Sequence, residues 1–240
     1  MSISANEIKK VRSLSEKKFR DRHGLFCVEG EKMVEEAMRS RFDVEKVYRK
    51  EEIGEEAMSK ISALSSPSPS LAVVRKPKDI NLSSDSDLSS CLGKSGLFLA
   101  LDTIRDPGNL GTILRIADWF GIDAVFAAPD TVDVFNPKVV QATMGAIFRV
   151  KFHYTDIPSL CRATLSAVDI DLYSRDLNLG SDSPSVIVIG NESNGISDEV
   201  AELVSDRLYI PPYPRNDSGS ESLNAAIATA ITVAEFRRRL

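Results

Sequence analysis

Three stretches of the 240-residue chain set polar side chains beside small or turn-forming neighbours, a combination that suits chemistry. In DTIRDPGNLGTILR a Pro-Gly turn brings Asn109 to an expected helix start, and Arg115 follows about one and a half turns later. In GNESNGIS, Glu192 lies just beyond the apolar run SVIVIG, and Gly190 and Gly195 let the backbone approach a ligand or another backbone closely. In IPPYPRNDSGSESLNAAIATAI the prolines stop a short strand, and Ser222, Leu223 and Asn224 lead into a helix of small residues. Amide, guanidinium, carboxylate and hydroxyl groups so placed can orient a substrate, grip a phosphate and stabilise developing negative charge. Each also has a structural use: Asn109 as a helix cap, Arg115 in a solvent stripe with Gly111 and Asp118, the glycines as turns, the alanines as close packing.

Other chemistries are poorly supplied. His23 and His153 are the only histidines, and Cys27, Cys91 and Cys161 are widely separated with no CxxC pair. A zinc site, a disulfide framework and a Ser/His/Asp triad are therefore not expected, and no metal is assigned. GNLG matches neither GxGxxG nor GxxxxGK[ST], which excludes a standard phosphate loop.

The composition is that of a soluble globular chain, 42% hydrophobic and 27% charged, with 13 Gly and 11 Pro. Thirty bases against 35 acids give a net charge of −5, which argues against a wholly basic nucleic-acid coat but not against a local patch. One such patch is residues 1 to 22, where Lys9, Lys10, Arg12, Lys17, Lys18, Arg20 and Arg22 outnumber Glu7, Glu16 and Asp21 by four. It reads either as a solvated helix face or as a phosphate-contacting surface. No apolar run approaches the 18 or so residues of a membrane span, and MSISANEIKK has no apolar core for a secretory signal, so the expected address is cytoplasmic with no membrane partner.

The elements that would position these loops form two groups. In residues 1–76, LFCVEG, VEKVYRK and LAVVRKP read as strands, EKMVEEAMRSR as a helix with Val34, Ala37 and Met38 on one face, and EEIGEEAMSKISAL as a second helix. This is a small α/β domain. Residues 77–95, with their serines, aspartates and glycines, read as a linker. From residue 96 to 240, strand and helix alternate: LFLAL, NLGTILRIADWFG, AVFAA, NPKVVQATMGAIF, RVKFH, PSLCRATLSAV, DIDLYS, SVIVIG, SDEVAELVS, RLYI and a last helix from ESLN. Such alternation predicts a parallel sheet. Asn136 with Pro137, and Ser197 with Asp198 and Glu199, read as helix starts, and Gly121 as a helix end. Ligands of open α/β sheets lie at the carboxyl ends of strands, where all three polar loops fall.

Taken in order, NLGTILR (109–115), GNESNGI (190–196) and Ile210-Pro211 followed by Ser222-Leu223-Asn224 resemble the three motifs of the SpoU/TrmH-type RNA 2′-O-ribose methyltransferases of the SPOUT superfamily. The likeness spans residues 96–240, and the first domain resembles the small substrate-binding domain preceding the catalytic domain in many members. It implies a deep trefoil knot in the C-terminal domain, which periodicity alone does not predict. It further implies S-adenosyl-L-methionine as cofactor, with Gly190, Ile210 and Leu223 lining the adenosine pocket and Asn109, Arg115, Glu192, Ser222 and Asn224 as the polar catalytic set. A structured RNA substrate (rRNA or tRNA) and a homodimer follow from the same resemblance. In this chain PYPRNDSGSE lengthens the usual short loop of the third motif. An RNA-binding protein without catalysis and a small-molecule α/β enzyme remain as other classes: the first would not need the three strand-end motifs, the second would need a metal cluster or phosphate loop.

Overall fold

A computed structural model describes residues 3–92, 95–164, 184–191, 193–205, 207–211 and 222–238. In chain order its first elements are α1 (Ala5–Ser13), α2 (Lys17–His23), β1 (Leu25–Glu29), α3 (Glu31–Arg39), β2 (Val44–Arg49), α4 (Lys50–Ile53), α5 (Glu55–Ile61) and β3 (Ser70–Arg75). Then come α6 (Asp85–Leu92), β4 (Gly96–Leu101), α7 (Pro107–Trp119), β5 (Ala124–Ala127), α8 (Pro137–Thr143) and a 3₁₀ turn (Ala146–Phe148). The last are β6 (Phe152–Tyr154), α9 (Ile157–Thr164), β7 (Pro184–Ile189), α10 (Asp198–Ala201) and α11 (Ala225–Arg238). Contacts divide the chain into two compact units, Met1–Lys78 with Asp133–Arg149, and Asp79–Val132 with Val150–Leu240.

The first unit is built on an antiparallel sheet of order β1-β3-β2. Val11, Leu14, Leu25, Tyr48, Met58, Ile61, Leu71 and Val73 form one core. In α3 the buried residues are Met33, Val34 and Ala37, whereas Met38, expected on the same face, is 58% exposed. The helical turn of about 100° per residue carries it past the edge of the buried stripe. The helix expected over EEIGEEAMSKISAL is broken at Gly54, whose φ of +83° belongs to the glycine-favouring half of backbone space. Four of the seven bases of the run are paired within the unit. Lys10 pairs with Glu45, Lys17 with Asp21 and Lys18 with Glu16. Arg20, only 2% exposed, reaches Asp133 Oδ2 through Nε at 3.0 Å and Nη2 at 2.7 Å, while Nη1 donates to the carbonyls of Leu14 and Ser15. Removing one member of so buried a pair costs about 3–5 kcal/mol.

The second unit carries a four-stranded, all-parallel sheet of order β6-β5-β4-β7. Phe98 and Ala100 of β4 face a core with Phe126, Leu88 and Leu92 of α6, Leu160 and Cys161 of α9 and Val200 of α10. Strand alternation turns Leu97, Leu99 and Leu101 to the other side, the side of α7 and α11, whose buried stripes include Leu110, Ile113, Leu114, Ala226, Thr229 and Val233. Within the expected linker lies helix α6, tied by Leu88 and Leu92 to this core. The segment before it is held by the backbone bonds Leu82 N–H to Tyr154 O and Tyr154 N–H to Ile80 O. RLYI, expected as a strand, joins no ladder in the structure. DIDLYS and the loop 212–221 lie outside the described residues. Asn136 caps α8 through Oδ1, which accepts from Lys138 N–H, and Gly121, at φ +61°, follows the end of α7. Ser197 stands at the N-cap of α10 without a side-chain cap bond.

Candidate active site

The carboxyl ends of β4 and β7, neighbours in the sheet, are stitched together by the loops that leave them. Asp102 N–H donates to Ile189 O at 2.8 Å, and the buried Asp102 carboxylate accepts from Ser197 N–H at 2.7 Å. Asn191 Nδ2 donates to Thr103 O at 2.8 Å, while Asn191 Oδ1 accepts from Ser193 N–H. Thr103 has φ +65°, an unusual conformation for a β-branched residue that costs on the order of 1–3 kcal/mol. Its hydroxyl, bonded to Asp130, and its carbonyl, bonded to Asn191, hold it there.

Beyond Thr103 the chain enters α7 through Asp106, whose Oδ1 accepts from Asn109 N–H at 2.8 Å, with Pro107 in the first turn. Asp106, not Asn109, is therefore the cap. Asn109 is buried at 9% exposure, and its Oδ1 accepts from Asn224 Nδ2 at 2.8 Å. Asn224 in turn accepts from Ala226 and Ile227 N–H, so one amide starts α11 and reaches into the first motif. Two of the residues singled out from sequence thus meet directly although 115 positions apart. Arg115 is exposed and makes no hydrogen bond or ion pair among the described residues. Gly111, grouped with it in the stripe alternative, is buried.

Gly190 is fixed by the closure of its own loop. A Cβ there would lie 2.3 Å from the carbonyl carbon of Gly195 and 2.4 Å from the nitrogen of Ile196. Asn191 and Gly195 exchange both backbone bonds, at 2.8 and 2.9 Å. Ile210 is half-buried, Leu223 is 47% exposed, and Ser222 is exposed. Glu192 lies outside the described residues. The described groups at this end include backbone amides and carbonyls, side-chain amides and aliphatic side chains, and the carboxylates of Asp102 and Asp106 are already engaged by backbone N–H groups. That donor set suits the flat apolar faces and polar edge of an adenosine better than a polyphosphate. Among the described residues no three His, Cys, Asp or Glu converge on a metal position, and no helix is long and apolar enough to cross a membrane.

Sequence reasoning missed Asp102, Thr103, Asp106 and Asn191. Asp106 carried a signal, an Asp directly before a Pro at a helix start. The strained backbone of Thr103 and the reach of Asp102 to Ser197 carried none.

Comparison with known proteins gives the family. Residues 96–234 match the SpoU rRNA Methylase family, and residues 5–72 match the MRM3-like substrate binding domain. A solved structure from Porphyromonas gingivalis, described as of the TrmH family of RNA methyltransferases, is 36% identical with a TM-score of 0.84, covering 100% of both chains. An AdoMet-bound rRNA methyltransferase from Sinorhizobium meliloti is 28% identical with a TM-score of 0.83, over 100% of this chain and 97% of that one. A Bacillus subtilis relative, the 23S rRNA (guanosine(2553)-2′-O)-methyltransferase RlmP, is 29% identical over 98% of each chain. With loops at the carboxyl ends of a parallel sheet, a preceding substrate-binding domain and the family match over most of the second half, the chain belongs to the SpoU rRNA methylase family, whose cofactor is S-adenosylmethionine.

Proposed function

We propose that the protein methylates a ribose 2′-hydroxyl of structured RNA, working as a cytoplasmic homodimer with residues 1–76 binding RNA and 96–240 catalysing, helix α6 between them belonging to the core of the second unit. The bond between Asn109 and Asn224 carries the reading, because it draws the first and third motifs together through the buried amide of Asn109. The Bacillus subtilis relative favours ribosomal RNA, with tRNA as the other substrate class.

When bound, S-adenosylmethionine supplies an electrophilic methyl group on a sulfonium. The chain's residues supply alignment, worth up to about 7–11 kcal/mol for well-oriented partners, and charge stabilisation. Gly190, Ile210 and Leu223 hold the adenosine, within a knotted C-terminal segment. The Arg115 guanidinium stays protonated, so it acts not as a base but as a donor to the developing 2′-alkoxide and to the adjoining phosphate. Its exposure and unspent donors suit that role. Asn109, held by Asn224, and Ser222 orient the ribose, and Glu192 aims Arg115 or Asn109 by a charge-assisted bond. Trp119, 84% exposed on α7, and Ile227 and Ile231, 51% and 41% exposed on α11, give the dimer an apolar face that brings Arg115 near the partner's cofactor.

The test is calorimetric titration of the full chain with S-adenosylmethionine, followed by incubation with rRNA and tRNA transcripts and methyl-labelled cofactor. Label is expected in alkali-resistant dinucleotides, the mark of a blocked 2′-oxygen. Label found only on bases would overturn the reading, as would absence of binding heat at millimolar cofactor.

A further inference from the structure

The first unit contains a cavity of about 340 Å³ between the end of β1, the turn after α5 and the outer face of α8. A volume of this size lies at the low end of small-ligand pockets. Its floor is largely apolar, with Leu64 and Val140, and with Cys27, whose thiol burial and the nearby Glu29 push up to about 12, so that it stays neutral. Three polar residues, Glu29, Gln141 and Lys138, are among its lining. Glu29, 7% exposed, keeps each carboxylate oxygen on one bond: Oε2 accepts from Ser62 Oγ at 2.6 Å and Oε1 from Ala63 N–H at 2.7 Å. A carboxylate has about four acceptor positions, so roughly two remain. The side-chain amide of Gln141 and the ammonium of Lys138 also border the cavity, and among the described residues neither makes a hydrogen bond or ion pair.

An apolar slot, an acceptor-only carboxylate, a free amide and an unpaired cation at the rim together describe the needs of one unpaired nucleobase and its phosphate. The base is selected by the carboxylate. Guanine presents N1–H and the N2 amine side by side, whereas adenine and cytosine set their single amine beside a ring acceptor, and uracil offers one N–H between two carbonyls. We infer that this cavity receives a splayed-out guanine of the RNA strand, its Watson–Crick edge on Glu29 and Gln141 and its phosphate on Lys138. The inference rests on the reading of the protein as RNA-directed and adds a guanine-specific subsite to it. Helix α8, which lies within the family-matched segment 96–234 but groups with the first unit, forms one wall of the subsite.

The test uses the full chain and three fluorescent five-nucleotide RNAs, A-A-G-A-A, the same strand with inosine, and A-A-A-A-A. The guanine strand is expected to bind at least about fivefold more tightly than the inosine strand, which lacks only the N2 amine, and to shift the Ala63 amide resonance. Glu29→Gln should level the three affinities, and Lys138→Ala should weaken all three together. Should Glu29→Gln misfold by circular dichroism, Gln141→Leu is expected to shrink the guanine preference instead. Equal affinities in the native protein, an unmoved Ala63 amide, or a guanine preference that survives Gln141→Leu would overturn the subsite. Guanosine monophosphate competing as well as the strand would assign the cavity to a free nucleotide and overturn the RNA source. Cofactor binding, measured in parallel on each variant, should not change; its absence from the native protein would count against the methyltransferase reading and not against the cavity.

Discussion

Replacement of Gly190 by alanine tests whether the loop after β7 is a rigid part of the cofactor pocket. The added Cβ would stand 2.3 Å from the backbone of Gly195, roughly 1.1 Å short of the 3.4 Å at which ordinary contact begins. No side chain can swing away, since the three nearest atoms all belong to the backbone of Gly195 and Ile196. The loop must open by about that distance, at the expense of the reciprocal Asn191–Gly195 bonds and of the Asn191 bond to Thr103. Three such bonds at about 1 kcal/mol each put the loss near 3 kcal/mol, about a hundredfold in cofactor affinity. Gly195→Ala is the comparison, because its Cβ meets nothing within 4 Å and only the φ of +70° is unfavourable, at about 1–2 kcal/mol. Calorimetry with S-adenosylmethionine should rank native above Gly195→Ala above Gly190→Ala, with the global unfolding temperature of each recorded alongside. Affinity within threefold of native in a well-folded Gly190→Ala protein would show that the loop does not shape the pocket.

Arg115→Ala should bind cofactor normally yet transfer methyl at least about a hundredfold more slowly, and Arg115→Lys should recover little, because an ammonium cannot reproduce the planar fork; single-turnover rates decide this. Of the basic run, Lys9, Arg12 and Arg22 have no ion pair among the described residues. Replacing these three with alanine should reduce the slope of log affinity for RNA against log salt by up to about two units, and a larger effect from Lys17 and Lys18 would contradict that ranking. Burial, and then Glu29, raise the Cys27 thiol from 9.0 to about 12, so the folded state keeps a proton that the unfolded chain loses. That contribution is intact below pH 9 and lost as pH rises toward 12; urea midpoints at pH 8 and 10.5 should fall more for the native protein than for Cys27→Ala.

The parallel sheet was legible because its strands are short apolar runs separated by helices with chemical start and stop signals, such as Asn136-Pro137 and Gly121. Helix α6 was not, since only Leu88 and Leu92 mark its buried face among serines and aspartates that locally read as a linker. The break at Gly54 was missed for the opposite reason, a helical pattern that runs through a residue whose φ no pattern reveals. Charge was the least legible property. Arg20 sits in a run of exposed bases, and only the arrival of Asp133, 113 residues later, makes it a buried structural joint. The same non-local packing places Asp133–Arg149 with the first unit, although the strand-helix alternation around it belongs to the second.

At the site, residue types carried the information and partners did not. Asn109 could be read as a polar group at a strand end, but whether it capped α7 or served a substrate depended on Asp106, which takes the capping role and leaves the Asn109 side chain to Asn224. The structure thereby gives to Asp106 the capping role that the sequence left open for Asn109. Asn224 shows the reverse: its Oδ1 caps α11 while its Nδ2 holds Asn109, so one side chain is structural and site-forming at once. Thr103 adds the energetic side of the same design. Its unfavourable backbone is maintained by Asn191 from the second motif and by Asp130 after β5, which means that the loops of three adjacent strands hold one strained residue in place. Strain of that kind persists only where its surroundings over-determine it, and here those surroundings are the strand ends at which an α/β sheet binds its ligands.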